Sequence, residues 1–283
     1  FDSSRSHCEH NLLPLTDIER IELFRKLIVS PRNGKAPEFS DACSLILEKN
    51  EVSPLYLQLL AQSVKRRFKS QGIDFDEETA KSAITDFPST ITSAYDSLIE
   101  DIEIQFGRSQ ATKVLTSIWV TEGDLFRHQL QEIHAMKNDI DAEDISNSAF
   151  SSMLRQRFIE NSTYSKVNFV HMQARDAVYR RYLKDGTVIQ NYHLELARHF
   201  QKCYASGKDD SNRDPIIWHQ ILRRLPIHLL NCGDPQEIQS LLCNLDFCAD
   251  KCKAQLLGDL IFNFKQTISK YASQGNINSV LKD

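Results

Sequence analysis

No stretch of the chain approaches the ~20 apolar residues that a membrane-spanning helix needs, and no charged-then-apolar signal segment opens it. The phosphate-binding pattern G-x-x-x-x-G-K-S/T occurs nowhere, and no acidic strand end suited to hold Mg²⁺ is evident. Positive charge is not in excess: 34 Lys and Arg stand against 38 Asp and Glu, a net charge of -4, which gives no general attraction to nucleic acid or anionic lipid. Glycine and proline are sparse, 9 and 8 of 283 residues, so collagen-like and low-complexity classes are excluded. The seven cysteines are an odd number, include no Cys-x-x-Cys pair, and lie within apolar helical patterns rather than at the spacings of a secreted scaffold. They read as reduced thiols, and the cytoplasm is the simplest compartment. The chain begins at Phe1 rather than Met and reads as a segment of a larger protein without a complete catalytic site.

Helical periodicity is what the chain does contain, with 41% hydrophobic and 25% charged residues and a length sufficient for two or three small folded units. Thr16-Asp17-Ile18-Glu19 has capping-box spacing, and Ile18, Ile21, Phe24, Leu27 and Ile28 recur at helical intervals until Pro31 and Asn33-Gly34. A second helix runs from Ser40 through Leu47, a third opens at Ser53-Pro54, and Asp76 caps a fourth. Four short helices in about the first 85 residues bury their stripes against one another, as in a small helical lid.

After Phe87-Pro88, Ile91, Tyr95, Leu98, Ile102 and Phe106 mark a long helix ending at Gly107. Further helices are predicted at 109–119, at 122–136 opening on Thr121-Glu122-Gly123-Asp124, and at 144–158, where Phe150, Met153, Leu154 and Phe158 face inward. Phe158-Ile159-Glu160 and Val167-Asn168-Phe169-Val170 are β-prone runs flanking a polar turn, so three helices followed by a hairpin suggest a winged helix. Helices at 172–183 and 188–204 follow. Residues 205–213 are polar and read as a linker, and Asp214-Pro215 and Asp234-Pro235 start short amphipathic helices that look like the opening of a repeat array. The fold class is therefore mainly α: a lid bundle over 12–87, a winged-helix region with a short β-hairpin over 88–204, a linker over 205–213, and a helical repeat-like segment over 214–283.

This order resembles the part of STAND NTPases, the NACHT and NB-ARC signalling ATPases, that follows their nucleotide-binding domain. Leu13-Pro14-Leu15-Thr16 with Glu19-Arg20 looks like the start of the lid helices, and Ser53-Pro54-Leu55-Tyr56-Leu57 like the G-x-P or GLPL-type motif. Phe169-Val170-His171 with Arg175-Asp176-Ala177-Val178 looks like the winged-helix element bearing the MHD-type histidine. Arg224-Leu225-Pro226-Ile227-His228-Leu229 resembles a string in relatives that join NACHT modules to WD or tetratricopeptide repeats. Ser53 stands where the family has glycine, and Met172 where it has an acid after the histidine.

The resemblance implies that Pro54 packs against the adenine or sugar of a nucleotide on an upstream domain, and that His171 donates to its diphosphate. Beside these stand plainer readings: Pro54 as a first-turn helix residue, His171 as a histidine bonded to local backbone. Cys243, Cys248 and Cys252 with His228 have the donor types of a zinc site but not its spacing, and read as core thiols; His7, Cys8 and His10 sit near a chain end. Asn33-Gly34-Lys35 reads as a loop, and Lys65-Arg66-Arg67 as a solvated helix face. Arg155 and Arg157 fall on the predicted third helix of the winged-helix unit, the element that enters the major groove in DNA-binding relatives.

The expected function is that of a regulatory segment coupling the ADP/ATP state of an upstream nucleotide-binding domain to conformational switching and assembly. No cofactor is expected within the segment itself, while ADP or ATP with Mg²⁺ is expected in the intact protein. The expected partners are that upstream domain, a downstream repeat domain, other proteins and further copies on activation, with neither membrane nor nucleic acid among them. A nucleotide-independent helical scaffold and a nucleic-acid-binding winged helix are the alternatives.

Overall fold

Helix starts in the computed structural model, which describes residues 14–28, 40–49, 53–71, 76–133, 153–158, 165–208, 210 and 212–272, follow the capping signals of the sequence. Glu19 N donates to Thr16 Oγ1 at 3.4 Å and Thr16 N donates to Glu19 Oε2 at 2.8 Å, the reciprocal capping-box pair. Helix α1, Asp17–Ile28, follows and buries Phe24 and Ile28, whereas Ile18 is 72% exposed at the rim of that face. Helix α2, Ser40–Leu47, is capped from a distance: the Asp41 and Ala42 amides donate to Glu77 Oε1 at 2.8 and 3.3 Å. Helix α3, Pro54–Gln71, opens with Tyr56 N donating to Ser53 Oγ at 3.2 Å, and α4, Glu77–Asp86, with Thr79 N donating to Asp76 Oδ1 at 2.8 Å. α1 packs on α3, and α2 and α3 pack on α4, around Phe24, Ile46, Tyr56, Leu60, Val64 and Ile84. Each such side chain contributes roughly 1.5–3 kcal/mol of burial. The Asn33-Gly34-Lys35 loop lies outside the described residues.

Helix α5, Ile91–Phe106, carries a Thr90–Ser93 capping box and ends at Gly107, whose φ of +82° suits a residue without Cβ. α6, Arg108–Val120, follows at once. The helix predicted over 122–136 starts later, as α7, Arg127–Ile133. Glu122 at φ +56° and Gly123 at φ +74° turn the chain left-handed and close α6, with Gly123 N donating to Ile118 O at 3.0 Å. Asp124 is thus spent outside any cap, as described below.

Residues 154–158, predicted helical, are strand β1, Leu154–Phe158, paired antiparallel with β2, Ser165–Phe169, in the register Leu154↔Phe169 to Phe158↔Ser165. The run 153–158 carries apolar residues at both helical and extended spacing. Pairing with β2 decides between them, because it satisfies the backbone of both segments while Met153 and Leu154 remain buried. Of the β-prone run Phe158-Ile159-Glu160 only Phe158 is among the described residues, at the end of β1. β2 alternates as expected of a half-buried strand, with Ser165, Val167 and Phe169 inward.

Helix α8, Met172–Tyr182, is strapped to α5: Arg181 donates to Glu103 Oε2 at 2.6 Å and to Glu100 Oε1 at 3.2 Å, and the Tyr182 hydroxyl donates to Glu103 Oε1 at 2.7 Å. Its Tyr179 ring stacks on Trp119 of α6 at 5.6 Å between centroids. Helix α9, Gly186–Gly207, runs along α10, Pro215–Cys232; between them Arg213 donates to Gly207 O and Lys208 O at 2.9 Å each and covers the Trp218 ring at 4.1 Å. Three shorter helices follow: α11, Pro235–Leu242; α12, Leu245–Lys253; and α13, Leu257–Ala272. Asp214, Asp234 and Asn244 each cap the helix that follows with two amide hydrogen bonds. The described chain is mainly α, thirteen helices and one hairpin.

Candidate functional site

Pro54 occupies the first turn of α3 and is exposed. Two residues on, Tyr56 is fully buried; its hydroxyl donates to Pro88 O at 2.7 Å and its ring meets Phe87 edge-on at 5.4 Å. The proline is thereby fixed to the α4–α5 connection while its own ring faces outward.

His171 is exposed and caps α8 from an extended conformation, φ -149°, ψ 152°. Its Nδ1 accepts from Gln173 N at 3.3 Å. The cap selects the tautomer: with Nδ1 accepting, Nε2 carries the hydrogen and points a donor away from the helix start. The local-backbone reading of His171 and a role toward an outside acceptor are therefore compatible. No described hydrogen bond or ring contact joins His171 to Pro54, which opens α3.

The polar joint that sequence reasoning missed centres on Asp124, in the α6–α7 turn. Its carboxylate receives Lys166 from β2 and Arg224 from α10, and its backbone carbonyl receives the Gln220 amide. Gln220 is held in turn by Gln129, 2.7 Å away, whose own carbonyl accepts from Phe126 N at 3.0 Å. Lys166 also lies 5.5 Å from the centroid of the Phe126 ring. Burial alone would raise the Asp124 carboxyl, but the hydrogen bonds and charges of Lys166 and Arg224 outweigh it and hold the group below the usual carboxylate range. Arg224 opens the string singled out in the sequence, and the same string supplies His228, buried against His193 of α9. Its two polar members thus tie α10 to the hairpin and to α9. Nothing local in the sequence pairs Asp124 with Lys166, since they lie 42 residues apart and meet only through the hairpin.

Arg155 and Arg157 lie on β1 rather than on a helix, so they do not form the face of a recognition helix. Cys243 and Cys252 are exposed, Cys248 donates to Leu242 O at 3.2 Å, and His228 faces the opposite neighbour, α9. The six described cysteines are free. Among the described residues no group of three or more His, Cys, Asp or Glu side chains is placed to hold a metal ion, and no helix is long and apolar enough to cross a membrane. His7, Cys8 and His10 lie outside the described residues.

No protein-family model matches the chain. It is 23% identical over 241 residues to apoptotic protease-activating factor 1 of Danio rerio, a match that covers 83% of this chain. The chain spans 17% of the length of that relative, so the similarity is distant and concerns one segment of a much longer protein.

Proposed function

We propose that this chain is the regulatory segment that follows the nucleotide-binding domain of a cytoplasmic STAND-class signalling ATPase of NACHT or NB-ARC type. Residues 12–87 act as the lid, 88–204 as a winged-helix unit, 205–213 as their connection to the tail, and 214–283 as the start of a repeat array. The distant similarity to apoptotic protease-activating factor 1, a protein of that class, supports the reading. Catalysis is not carried by this segment; ADP or ATP with Mg²⁺ binds the upstream domain. Pro54 offers that nucleotide a rigid apolar wall, and His171 Nε2 a hydrogen-bond donor at a helix start, where the backbone amides also favour an anion.

The observation that carries the proposal is the Asp124 joint. His171 follows β2 after a single residue, Val170, and Lys166 of β2 shares one carboxylate with Arg224 of α10. A contact made at His171 thus reaches the tail through a hydrogen-bonded body rather than a flexible hinge. ADP favours the closed arrangement, and the shift on exchange is bounded by the difference in nucleotide affinity between closed and open states.

The test is the thermal stability of the protein extended upstream, with and without ADP. ADP at 100 times its dissociation constant adds about 2.7 kcal/mol. His171→Leu is expected to reduce that gain. Absence of any ADP response sinks the proposal and leaves the nucleotide-independent scaffold, which the exposed apolar side of α13 favours, with Leu257 56%, Ile261 47% and Ile268 60% exposed.

A further inference from the structure

The start of α10 gathers positive charge in a chain whose net charge is -4. Two hollows flank it, and Pro215 and His219 line both. The first, about 300 Å³, is also lined by Phe126, Ile216, Lys166 and Arg223. The second, about 420 Å³, is also lined by Arg213, Trp218 and Lys253. Partial burial, followed by the Arg223 charge, holds the His219 imidazole below its ordinary value, and the Lys166 charge adds to this. His219 therefore stays neutral between two sets of cations.

The acids that line the hollows, Asp124 and Asp250, are already engaged. Asp124 serves Lys166 and Arg224 together, and Asp250 accepts from the Tyr204 hydroxyl at 3.1 Å with Lys253 3.7 Å away. Asp259, which also acts on His219, is taken by buried Lys251 at 2.8 Å. Arg213 is held by the carbonyls of Gly207 and Lys208, which satisfy its hydrogen bonds without cancelling its charge. Arg223 is exposed, and among the described residues no hydrogen bond or ion pair engages it. The cations thus outnumber the carboxylates that face them.

The surface between these charges is apolar, with Pro215 and Ile216 on one side of His219 and the Trp218 ring beneath Arg213 on the other. Free amides at a helix start are the usual cradle for a phosphate, but Asp214 Oδ1 already accepts from Ile216 N at 2.8 Å and Ile217 N at 3.2 Å. Side-chain cations over an apolar floor fit carboxylates carried beside apolar side chains.

We propose that this face of α10 is a docking groove for an acidic, amphipathic peptide segment of another protein. Its carboxylates meet Arg223 and Lys166 on one side of His219 and Arg213 and Lys253 on the other, while an apolar side chain lies over Pro215. Because Lys166 and Arg224 share Asp124, a bound carboxylate draws on the same cations that join the hairpin to α10. The proposal does not depend on nucleotide binding.

The test is fluorescence anisotropy on the full 283-residue chain with a short labelled peptide that alternates glutamate with leucine and phenylalanine. Two control peptides carry glutamine for glutamate, or serine for the apolar residues. The acidic amphipathic peptide is expected to bind about tenfold tighter than either control and to weaken with added salt. Arg223→Glu and Lys253→Glu, both at exposed side chains and with circular dichroism unchanged, should each weaken it severalfold, whereas Lys184→Glu, at an exposed cation between α8 and α9, should not. Absence of binding overturns the proposal, as does equal affinity for the glutamine peptide or affinity that survives Arg223→Glu. Displacement of the peptide by inorganic phosphate or by duplex DNA at comparable concentration also overturns it, in favour of a phosphate or nucleic-acid site.

Discussion

His193 of α9 and His228 of α10 face each other Nδ1 to Nδ1 at 2.9 Å, inside the most extensive helix–helix contact among the described residues. One ring must donate and the other accept, so at least one Nδ1 is unprotonated. The His228 ring lies flat against Phe200, 5.5 Å between centroids and 12° between planes, and its Nε2 is buried without a partner. Burial and the neighbouring Lys270 charge disfavour protonation of His193, and burial, the His193 ring and the Arg224 charge disfavour it at His228. The His193 imidazole is pushed down to about 4, and that of His228 falls well below its ordinary value.

Acid should therefore loosen the α9–α10 contact. A histidine whose folded pKa lies below its unfolded value binds more protons when unfolded, so stability is fully present above about 6.5 and is lost as pH falls from there toward about 4. His193 alone accounts for roughly 3 kcal/mol over that window, at ~1.4 kcal/mol per unit. Urea unfolding at pH 7.5, 6 and 5 would show the decline, and His193→Leu together with His228→Leu should flatten it. A slope that persists undiminished in the double variant places the acid sensitivity elsewhere.

Asp124→Asn is expected to cost about 3 kcal/mol, because it leaves Lys166 and Arg224 semi-buried without their counter-charge. Arg224→Gln alone should cost less, since Lys166 keeps its partner. In a double-mutant cycle the two changes should couple by more than about 1 kcal/mol. Simple additivity in denaturant unfolding would mean that the carboxylate and the guanidinium do not share the load.

Gly123 sits where α6 turns left-handed, at φ +74°, and a Cβ there would collide with the Asn168 side chain of β2. Gly123→Ala thus combines backbone strain with a collision and is expected to destabilise by about 1–3 kcal/mol. Asn168→Ala in the same chain should return the steric part and leave the strain. Equal melting temperatures for single and double variants would show that Asn168 simply moves aside.

The capping residues Thr16, Ser53, Asp76, Asp214 and Asp234 made the helix starts legible, because each cap is a contact within three residues. Gly107 and the alternation of β2 were legible for the same reason. Where local signals conflict, tertiary contacts decide. Met153-Leu154 fits a helix as well as a strand, and only pairing with residues 165–169 selects the strand. Asp124 has the look of a helix start but is drawn away by two cations from distant elements. Pro54 and His171 were legible as first-turn residue and backbone cap, while their facing a nucleotide rests on the family resemblance.

The exposed side of α13 leads to the last prediction. Leu257, Ile261, Phe264 and Ile268 recur at intervals of four, three and four residues, the spacing of a helix seam, and are 56%, 47%, 37% and 60% exposed. The opposite side is occupied: Lys251 of α12 reaches Asp259 at 2.8 Å, and Lys270 donates to Leu230 O at 2.6 Å. Single exposed apolar residues are ordinary, whereas a continuous seam marks a contact surface. The isolated chain should therefore bind a hydrophobic dye and self-associate as its concentration rises. Ile261→Glu with Ile268→Lys should suppress both, with a change in melting temperature within about 0.5 kcal/mol of stability, since neither side chain is buried. Loss of dye binding together with loss of helicity would instead mean that the seam supports the fold of this segment rather than its contacts.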